Sequence, residues 1–248
     1  ICWLLSYRQT STLFTLRDIM INKLQLLFSV NDPENRDKIS TILLNNWSLI
    51  NKKKLNINHR LAVRVPGDPT SSVPQDGQPD NLPEQPSFDV MFEIRGEDIP
   101  YHNLVNILDG FTKELEPLIN KNNSAAIVGT EYKIVNGDEP LFLNMVLRRP
   151  VEWSRENWHE HWLDHHAKEV LENVSGLQGY RQFHANEEFS KKASKITGLK
   201  IYDYEGTAEG YYSSLEKFLE TLSDPEVSKD TGFIDHSRSV MWLYNIYE

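Results

Sequence analysis

One stretch of the sequence, residues 154–174, holds four of the chain's eight histidines. Its apolar residues recur at helical spacing, and a helical wheel at about 100° per residue divides these histidines into two pairs. His159 and His166 fall in the predicted buried stripe, whereas His161 and His165 fall among charged residues outside it. An inward imidazole can take and return a proton near neutral pH. An inward histidine is therefore either a satisfied core residue or, where it borders a pocket, a candidate for acid–base chemistry.

The outward pair, His161 and His165, has the i, i+4 spacing that lets two rings share a metal ion. Residues 161–165 match the inverted zinc pattern H-x-x-E-H with Asp164 in place of the glutamate. The sequence offers no identifiable third ligand. A solvated helix face is therefore favoured, and no metal site is predicted.

The strand predicted after this helix supplies further polar groups. Its two-residue period places Tyr180, Gln182 and His184 on one face. Such a face is either exposed to solvent or lines a pocket with polar tips. In the pocket interpretation, His166 and His184 exchange protons and Tyr180 donates a hydrogen bond to a developing oxyanion.

The sequence motifs of the common cofactors and nucleophiles are missing. There is no G-x-G-x-x-G, no G-x-x-x-x-G-K-[ST] and no G-x-S-x-G. Dinucleotide, nucleotide and serine-hydrolase chemistry therefore lose their usual support, and no cofactor is predicted. The single cysteine, Cys2, forms no intrachain disulfide and fits a reducing compartment.

Composition narrows the class of protein. The 248 residues are 39% hydrophobic and 25% charged, as is usual for a globular protein, and their formal net charge is -10. Such a negative charge argues against a nucleic-acid partner. No apolar run approaches the roughly 18 residues that cross a bilayer. We expect a cytoplasmic protein with no nucleic-acid or membrane partner.

The predicted elements repeat their order once along the chain. Residues 20–138 and 139–248 each read β-α-β-β-α-β, the ferredoxin-like plait. Two antiparallel sheets in one chain can bury their free faces against each other, so the predicted fold class is α+β with an intrachain α+β barrel. Residues 1–19 are interpreted as an extension before Met20, and residues 66–86 as a long proline-rich loop. The predicted strands are 23–30, 59–65, 88–95, 125–135, 141–147, 179–185, 199–204 and 240–247, and the predicted helices are 37–54, 101–120, 154–174 and 214–222.

The carboxyl-terminal half resembles the EthD domain, one branch of the dimeric α+β-barrel proteins. The blocks that carry the resemblance are HHAK at 165–168, GYRQFH at 179–184, EGTAE at 205–209 and YYSS at 211–214. They occur in the family order within residues 141–248, with Lys168 in place of the usual proline. The amino-terminal half matches in element order only and looks like a degenerate copy. The predicted site therefore lies in the second half.

The resemblance implies oxidoreductase-type chemistry on small organic molecules, because relatives include cofactor-free monooxygenases and polyketide cyclases. It also implies a pocket between sheet and helices that takes a small hydrophobic or aromatic substrate. Carried over residue by residue, it gives His166, Tyr180 and His184 as catalytic candidates. The residues expected to line the pocket are Trp158, His159, Trp162, Gln182, Glu209 and Trp242.

Three functions remain open at this point. In a cofactor-free oxygenase, the base removes a proton from a phenolic or enolic substrate and the carbanion reacts with dioxygen. The same base also suits a cyclase, isomerase or decarboxylase that uses no oxygen. A binding or stress-response protein without catalysis is the third interpretation. Haem, which some relatives bind, and a homodimer also remain open.

Overall fold

The computed structural model describes residues 21–51, 56–72, 85–174, 176–223 and 232–247. The predicted extension at residues 1–19 and most of the predicted loop at 66–86 lie outside the described residues.

Eight strands in the described ranges form one closed antiparallel barrel. Its strand order is β1-β3-β2-β8-β5-β7-β6-β4, after which β4 pairs with β1. The order β4-β1-β3-β2 in the first half is therefore the same as β8-β5-β7-β6 in the second. The predicted intrachain α+β barrel is confirmed. The strands are β1 (Ile21–Phe28), β2 (Asn58–Arg64), β3 (Val90–Glu97), β4 (Ala125–Val135), β5 (Leu141–Leu147), β6 (Gly179–Ala185), β7 (Gly206–Tyr212) and β8 (Val240–Tyr247).

The helices pack on the outer face of the barrel. In the first half, Leu24 and Ile94 on the sheet form one buried cluster with Leu43 and Trp47 on the first helix. Successive side chains of a strand point to opposite faces of the sheet. The residues adjacent to Leu24 on β1 and to Ile94 on β3 therefore point into the barrel. The helical elements are α1 (Asn35–Asn51), α2 (Tyr101–Asn106), α3 (Arg155–His161), a π turn (Trp162–His166), α4 (Ala167–Asn173), α5 (Glu187–Thr197) and α6 (Leu215–Leu222).

Two predicted elements differ from the structure, and two elements of the structure were not predicted. The helix predicted over 101–120 ends at Asn106 and continues as turns, with a short 3₁₀ segment at Lys113–Leu115. Residues 199–204 form only an isolated bridge, between Ile201 and Ala125, rather than a strand. The third strand of the second half is instead β7. The helix α5, which lies between β6 and β7, was not predicted.

The two halves place the same charge pair at the same register position. Arg60 lies opposite Glu93 between β2 and β3, and Arg181 lies opposite Glu209 between β6 and β7. All four side chains are buried. Both pairs face the interior of the barrel, so each half contributes an arginine and a glutamate to it.

A network of ion pairs occupies the barrel interior. Lys23 Nζ lies 2.6 Å from a carboxylate oxygen of Glu131 and 2.6 Å from one of Glu209. Arg60 reaches Glu93 at 2.6 Å and Glu209 at 2.7 Å. The network joins residues of both halves across the barrel interior.

None of the described helices has the length and apolar character that crossing a membrane requires.

Candidate active site

The histidine-rich helix is divided by a π turn. Ser154 caps its start, since its hydroxyl accepts a hydrogen bond from the backbone N–H of Asn157 at 3.2 Å. The turn Trp162–His166 is closed by the N–H of Ala167, which donates to the carbonyl oxygen of Trp162. A π turn holds more residues per turn than an α-helix, so a wheel at 100° per residue misplaces the residues after it. The helix predicted over 154–174 is present, but it is α-helical only on either side of this π turn.

A chain of hydrogen bonds connects α3 to the sheet. The two Nδ1 atoms of His159 and His184 lie 2.8 Å apart. His159 Nε2 lies 3.2 Å from Oε2 of Glu205, and His184 Nε2 lies 3.1 Å from Oε1 of Gln182. Gln182 in turn donates from Nε2 to the carbonyl oxygen of Trp162 at 2.9 Å. The structure therefore brings together four predicted site residues and adds Glu205, which was not predicted.

The charges around these hydrogen-bonded residues shift their pKa values. Glu205 pairs with Arg149 at 3.0 Å and with Arg155 at 2.5 Å. Burial alone would raise the pKa of Glu205, but the hydrogen bond from His159 and the charge of Arg155 outweigh it and lower that pKa. Burial lowers the pKa of His159 against the opposing effect of Glu205. Burial also lowers the pKa of His184 well below its ordinary value, and His159 and Arg155 add to this effect.

Tyr180 lies next to Gln182 in this series of hydrogen bonds. Its hydroxyl oxygen accepts a hydrogen bond from Gln182 Nε2 at 3.4 Å. Burial raises the pKa of Tyr180 to about 12, so the phenol stays protonated at neutral pH. The ring of His184 stacks on Trp162 at 4.3 Å between centroids, and the edge of Tyr132 closes its other side at 4.9 Å. Aromatic rings thus enclose the polar groups of β6.

His166 is the last residue of the π turn and does not take part in the hydrogen bonds that link His159, His184 and Gln182. Its Nδ1 atom is buried without a hydrogen bond to any described residue, and Oε2 of Glu169 lies 3.4 Å away. The imidazole packs on Phe233, with 4.8 Å between ring centroids. Burial lowers the pKa of His166 although Glu169 opposes it, so the ring is neutral at pH 7. Glu169 was not predicted, and its i, i+3 spacing from His166 on a helix is the sequence signal that could have indicated it.

Phe233 supports both the helix and His166. Its carbonyl oxygen accepts a hydrogen bond of 2.5 Å from Nε1 of Trp158. The rings of Trp158 and Trp162 lie 4.9 Å apart, and both side chains are fully buried. These two tryptophans form the apolar wall between helix and sheet beside His166.

Two of the predicted pocket residues lie elsewhere. The β7 alternation that places Ala208 under the helices turns Glu209 into the barrel, where Lys23 binds it. Trp242 packs beside the interior cluster under the guanidinium of Arg64, whose carbon lies 3.7 Å from the ring centroid. Neither Glu209 nor Trp242 joins the histidine cluster on the outer face.

His161 and His165 stack on each other, with 5.3 Å between ring centroids. Within the described ranges, no group of three or more histidine, cysteine, aspartate or glutamate side chains is placed to hold a metal ion. The buried pair His159 and His184 also does not fit haem, since all four of its ring nitrogens contact protein atoms.

A shallow depression of about 510 Å³ lies on the outer surface of α6 and is lined by Leu215, Glu216, Leu219, Glu220 and Ser223. The histidine cluster contributes no residue to it.

The fold and one family model relate this chain to known proteins. An eight-stranded barrel made from two such halves is the dimeric α+β-barrel architecture within one chain. The family model described as the EthD domain matches residues 151–237. The matched stretch in the second half of the chain includes His159, His166, Tyr180 and His184.

Solved structures share the fold at low sequence identity. A protein assigned as a chlorite dismutase aligns with a TM-score of 0.51 and 7% identity over 92% of this chain and 95% of its own. A protein assigned as a monooxygenase, from Fusobacterium nucleatum subsp. nucleatum, aligns with a TM-score of 0.50 and 12% identity over 93% of both chains. These similarities show the fold alone. A search of curated protein sequences finds no significant match.

Proposed function

We propose that this protein is an EthD-type oxidoreductase that oxygenates a small phenolic or enolic substrate without a cofactor, with His166 as the base. The observation that carries the proposal is the setting of His166: a neutral imidazole at a π turn, with Glu169 beside its buried Nδ1 and an aromatic ring against its face. π turns occur frequently at functional sites.

A neutral imidazole can accept the proton that this reaction removes from the substrate. His166 removes a proton from a CH₂ group next to an enolisable carbonyl, and the carbanion gives its electrons to dioxygen. The CH₂ group becomes C=O, one oxygen atom enters the product, and the other leaves as water with the two hydrogens. The substrate is the reductant, so the step needs neither a metal nor a reduced cofactor.

Tyr180 supports this reaction as a hydrogen-bond donor. Its hydroxyl oxygen accepts a hydrogen bond from Gln182, which leaves the hydroxyl proton available for the oxyanion that forms when the substrate ionises. Because burial raises the pKa of Tyr180 to about 12, the donor proton is retained across the neutral range.

The structural neighbours support the oxidoreductase class. One of them is a protein assigned as a monooxygenase, and the other is assigned as a chlorite dismutase. The acidic composition and the single cysteine support a cytoplasmic protein.

We also infer that residues 20–138 and 139–248 are two copies of one plait. The support is the register at which Arg60 faces Glu93 in one half and Arg181 faces Glu209 in the other.

Binding of a small molecule without catalysis is a second candidate function. The packing of the site favours it: Trp158, Trp162 and Gln182 are fully buried and Tyr180 is 3% exposed. In this case the aromatic cluster recognises an aromatic ligand, and the histidines only complete its hydrogen bonds.

Oxygen uptake separates these functions. Purified protein is incubated with a panel of hydroquinones and anthrone-like ketones in an oxygen electrode, in the presence of a chelator and under ¹⁸O₂. An oxygenase consumes one O₂ per product and places one labelled atom in it. Conversion without oxygen uptake identifies a non-redox acid–base enzyme, and saturable binding without conversion identifies a binding protein; either result overturns the proposal.

A further inference from the structure

We propose that Gln182 is a positioning residue: its amide links the His159–His184 pair to the π turn and thereby sets the direction of His166. The role of His166 in this statement rests on the proposed function. The link itself does not, and it is tested below without any activity measurement.

The link begins at one carbonyl oxygen. The carbonyl of Trp162 accepts the N–H of Ala167, the bond that closes the π turn, and also accepts Nε2 of Gln182 at 2.9 Å. His166 immediately precedes Ala167, so the direction of its side chain depends on this turn. Gln182 is fully buried. A second donor on the same oxygen therefore stabilises the five-residue turn.

The orientation of the Gln182 amide is fixed by its partners. A backbone carbonyl can only accept, so the amide nitrogen must face Trp162. The amide oxygen then faces His184 Nε2 at 3.1 Å, and this nitrogen must carry a proton. The link thus determines the tautomer of His184.

The three contacts between Gln182, His184, His159 and Glu205 can all be hydrogen bonds only if the histidine pair carries one extra proton. Oε1 of Gln182 at one end and the carboxylate of Glu205 at the other both only accept. Between them lie four ring nitrogens and three contacts, each of which needs one proton. Two neutral imidazoles supply two. The His159–His184 pair therefore binds a single shared proton when all three contacts are hydrogen bonds.

The proton affinity of the His159–His184 pair depends on the groups that surround it. Glu205 attracts the proton, while Arg149 and Arg155 on the helix side repel it. On the sheet side the groups are the neutral Tyr180 and the edge of Tyr132. When the proton leaves, either the contact between His159 Nε2 and Glu205 or the Nδ1–Nδ1 contact loses its hydrogen, so one of these two hydrogen bonds is broken.

The test follows the histidines and one amide by NMR. In ¹⁵N-histidine-labelled protein we expect His184 to hold its proton on Nε2 and the two rings of the pair to titrate with one midpoint. In Glu205→Gln the counter-charge is lost, so the proton affinity of the pair falls about tenfold or more. In Gln182→Leu the common midpoint moves, and the amide of Ala167 exchanges about tenfold faster.

A matched variant controls for the loss of a glutamine. The side chain of Gln178 accepts a hydrogen bond from the N–H of Ser213 at the end of the sheet, away from the histidine pair, and Gln178→Leu should leave both readouts at wild-type values. Gln182→Glu is measured beside Gln182→Leu: its carboxylate cannot donate to Trp162, and its charge should raise the midpoint.

Separate midpoints for the two rings, a neutral His184 with its proton on Nδ1, or unchanged Ala167 exchange in a folded Gln182→Leu would overturn the proposal. If Gln182→Leu fails to fold, Glu205→Gln and Gln182→Glu decide by their opposite shifts. Because none of these readouts involves turnover, a protein without oxygenase activity leaves this test intact.

Discussion

Lys23 and Glu209 lie 2.6 Å apart with both side chains fully buried, although one belongs to the first half of the chain and the other to the second. Arg60 adds a second bond from the first half to the same carboxylate at 2.7 Å. The interior of the barrel therefore links the two halves by charge. A glutamate that sequence reasoning assigned to a substrate pocket instead stabilises the closed barrel.

Replacing this carboxylate should strongly destabilise the protein. Glu209→Gln keeps the shape but removes one of the buried carboxylates that balance Lys23 and Arg60, so we expect the free energy of unfolding to fall by about 3 kcal/mol. Glu188→Gln is the control, because Glu188 pairs with Lys192 at the same 2.6 Å on the exposed surface. It should change stability by less than about 0.5 kcal/mol. Equal effects in urea denaturation would contradict the structural role of the interior network.

Trp158 should affect both stability and His166. Trp158→Phe removes the hydrogen bond to the Phe233 carbonyl and leaves a buried acceptor unpaired, which costs about 1–3 kcal/mol. Because Phe233 packs against His166, any turnover should fall as well. The half-buried Trp153 serves as the matched control, and Trp153→Phe should cost less than about 1 kcal/mol. Thermal unfolding and rate measurements on both variants check this, and a neutral Trp158→Phe would refute it.

Acidification should destabilise the fold through the buried histidine pair. In the unfolded chain each ring binds a proton near its ordinary pKa of 6.5, whereas burial lowers the pKa of His159 and His184 in the folded state. Below pH 6.5 the unfolded state therefore binds more protons, and the free energy of unfolding decreases as pH falls. His184→Gln should lose less stability than the wild type between about pH 7 and pH 5. Identical slopes for the two proteins would argue against this assignment.

The outward histidines should be dispensable. His161→Ala combined with His165→Ala removes two stacked rings from the helix surface, and we expect less than about 2 kcal/mol of lost stability and an unchanged rate of turnover. Metal analysis after dialysis should show no stoichiometric ion in either protein. An equimolar metal that disappears in the double variant would show that this pair is a metal site.

The order of the strands could be predicted from sequence, but two elements of the second half could not. The β4, β5, β6 and β8 boundaries agree with the predicted ones because their hydrophobic patterns are uninterrupted. Helix α5 was missed because its buried face consists mainly of small and polar residues. Asn186, which caps its start, and Gly198 at φ 76°, which ends it, were the available indications.

The candidate site was predicted in part for a similar reason. The two-residue period of β6 correctly grouped Tyr180, Gln182 and His184, since alternation is a local property of a strand. Local spacing could not show that Glu205 reaches His159, because the two residues are distant in sequence and meet only through the barrel. The π turn was equally invisible to a wheel that assumes one fixed angle per residue.

The central claim is that His166 is the base, and a comparison of neighbouring histidines tests it most directly. The rate of oxygen consumption with the best substrate is measured for His166→Asn and for His165→Asn, its exposed neighbour, after unfolding curves show that both are folded. We predict a loss of about 100-fold or more in kcat for His166→Asn and a rate close to wild type for His165→Asn. A folded His166→Asn protein that turns over at the wild-type rate would contradict the claim.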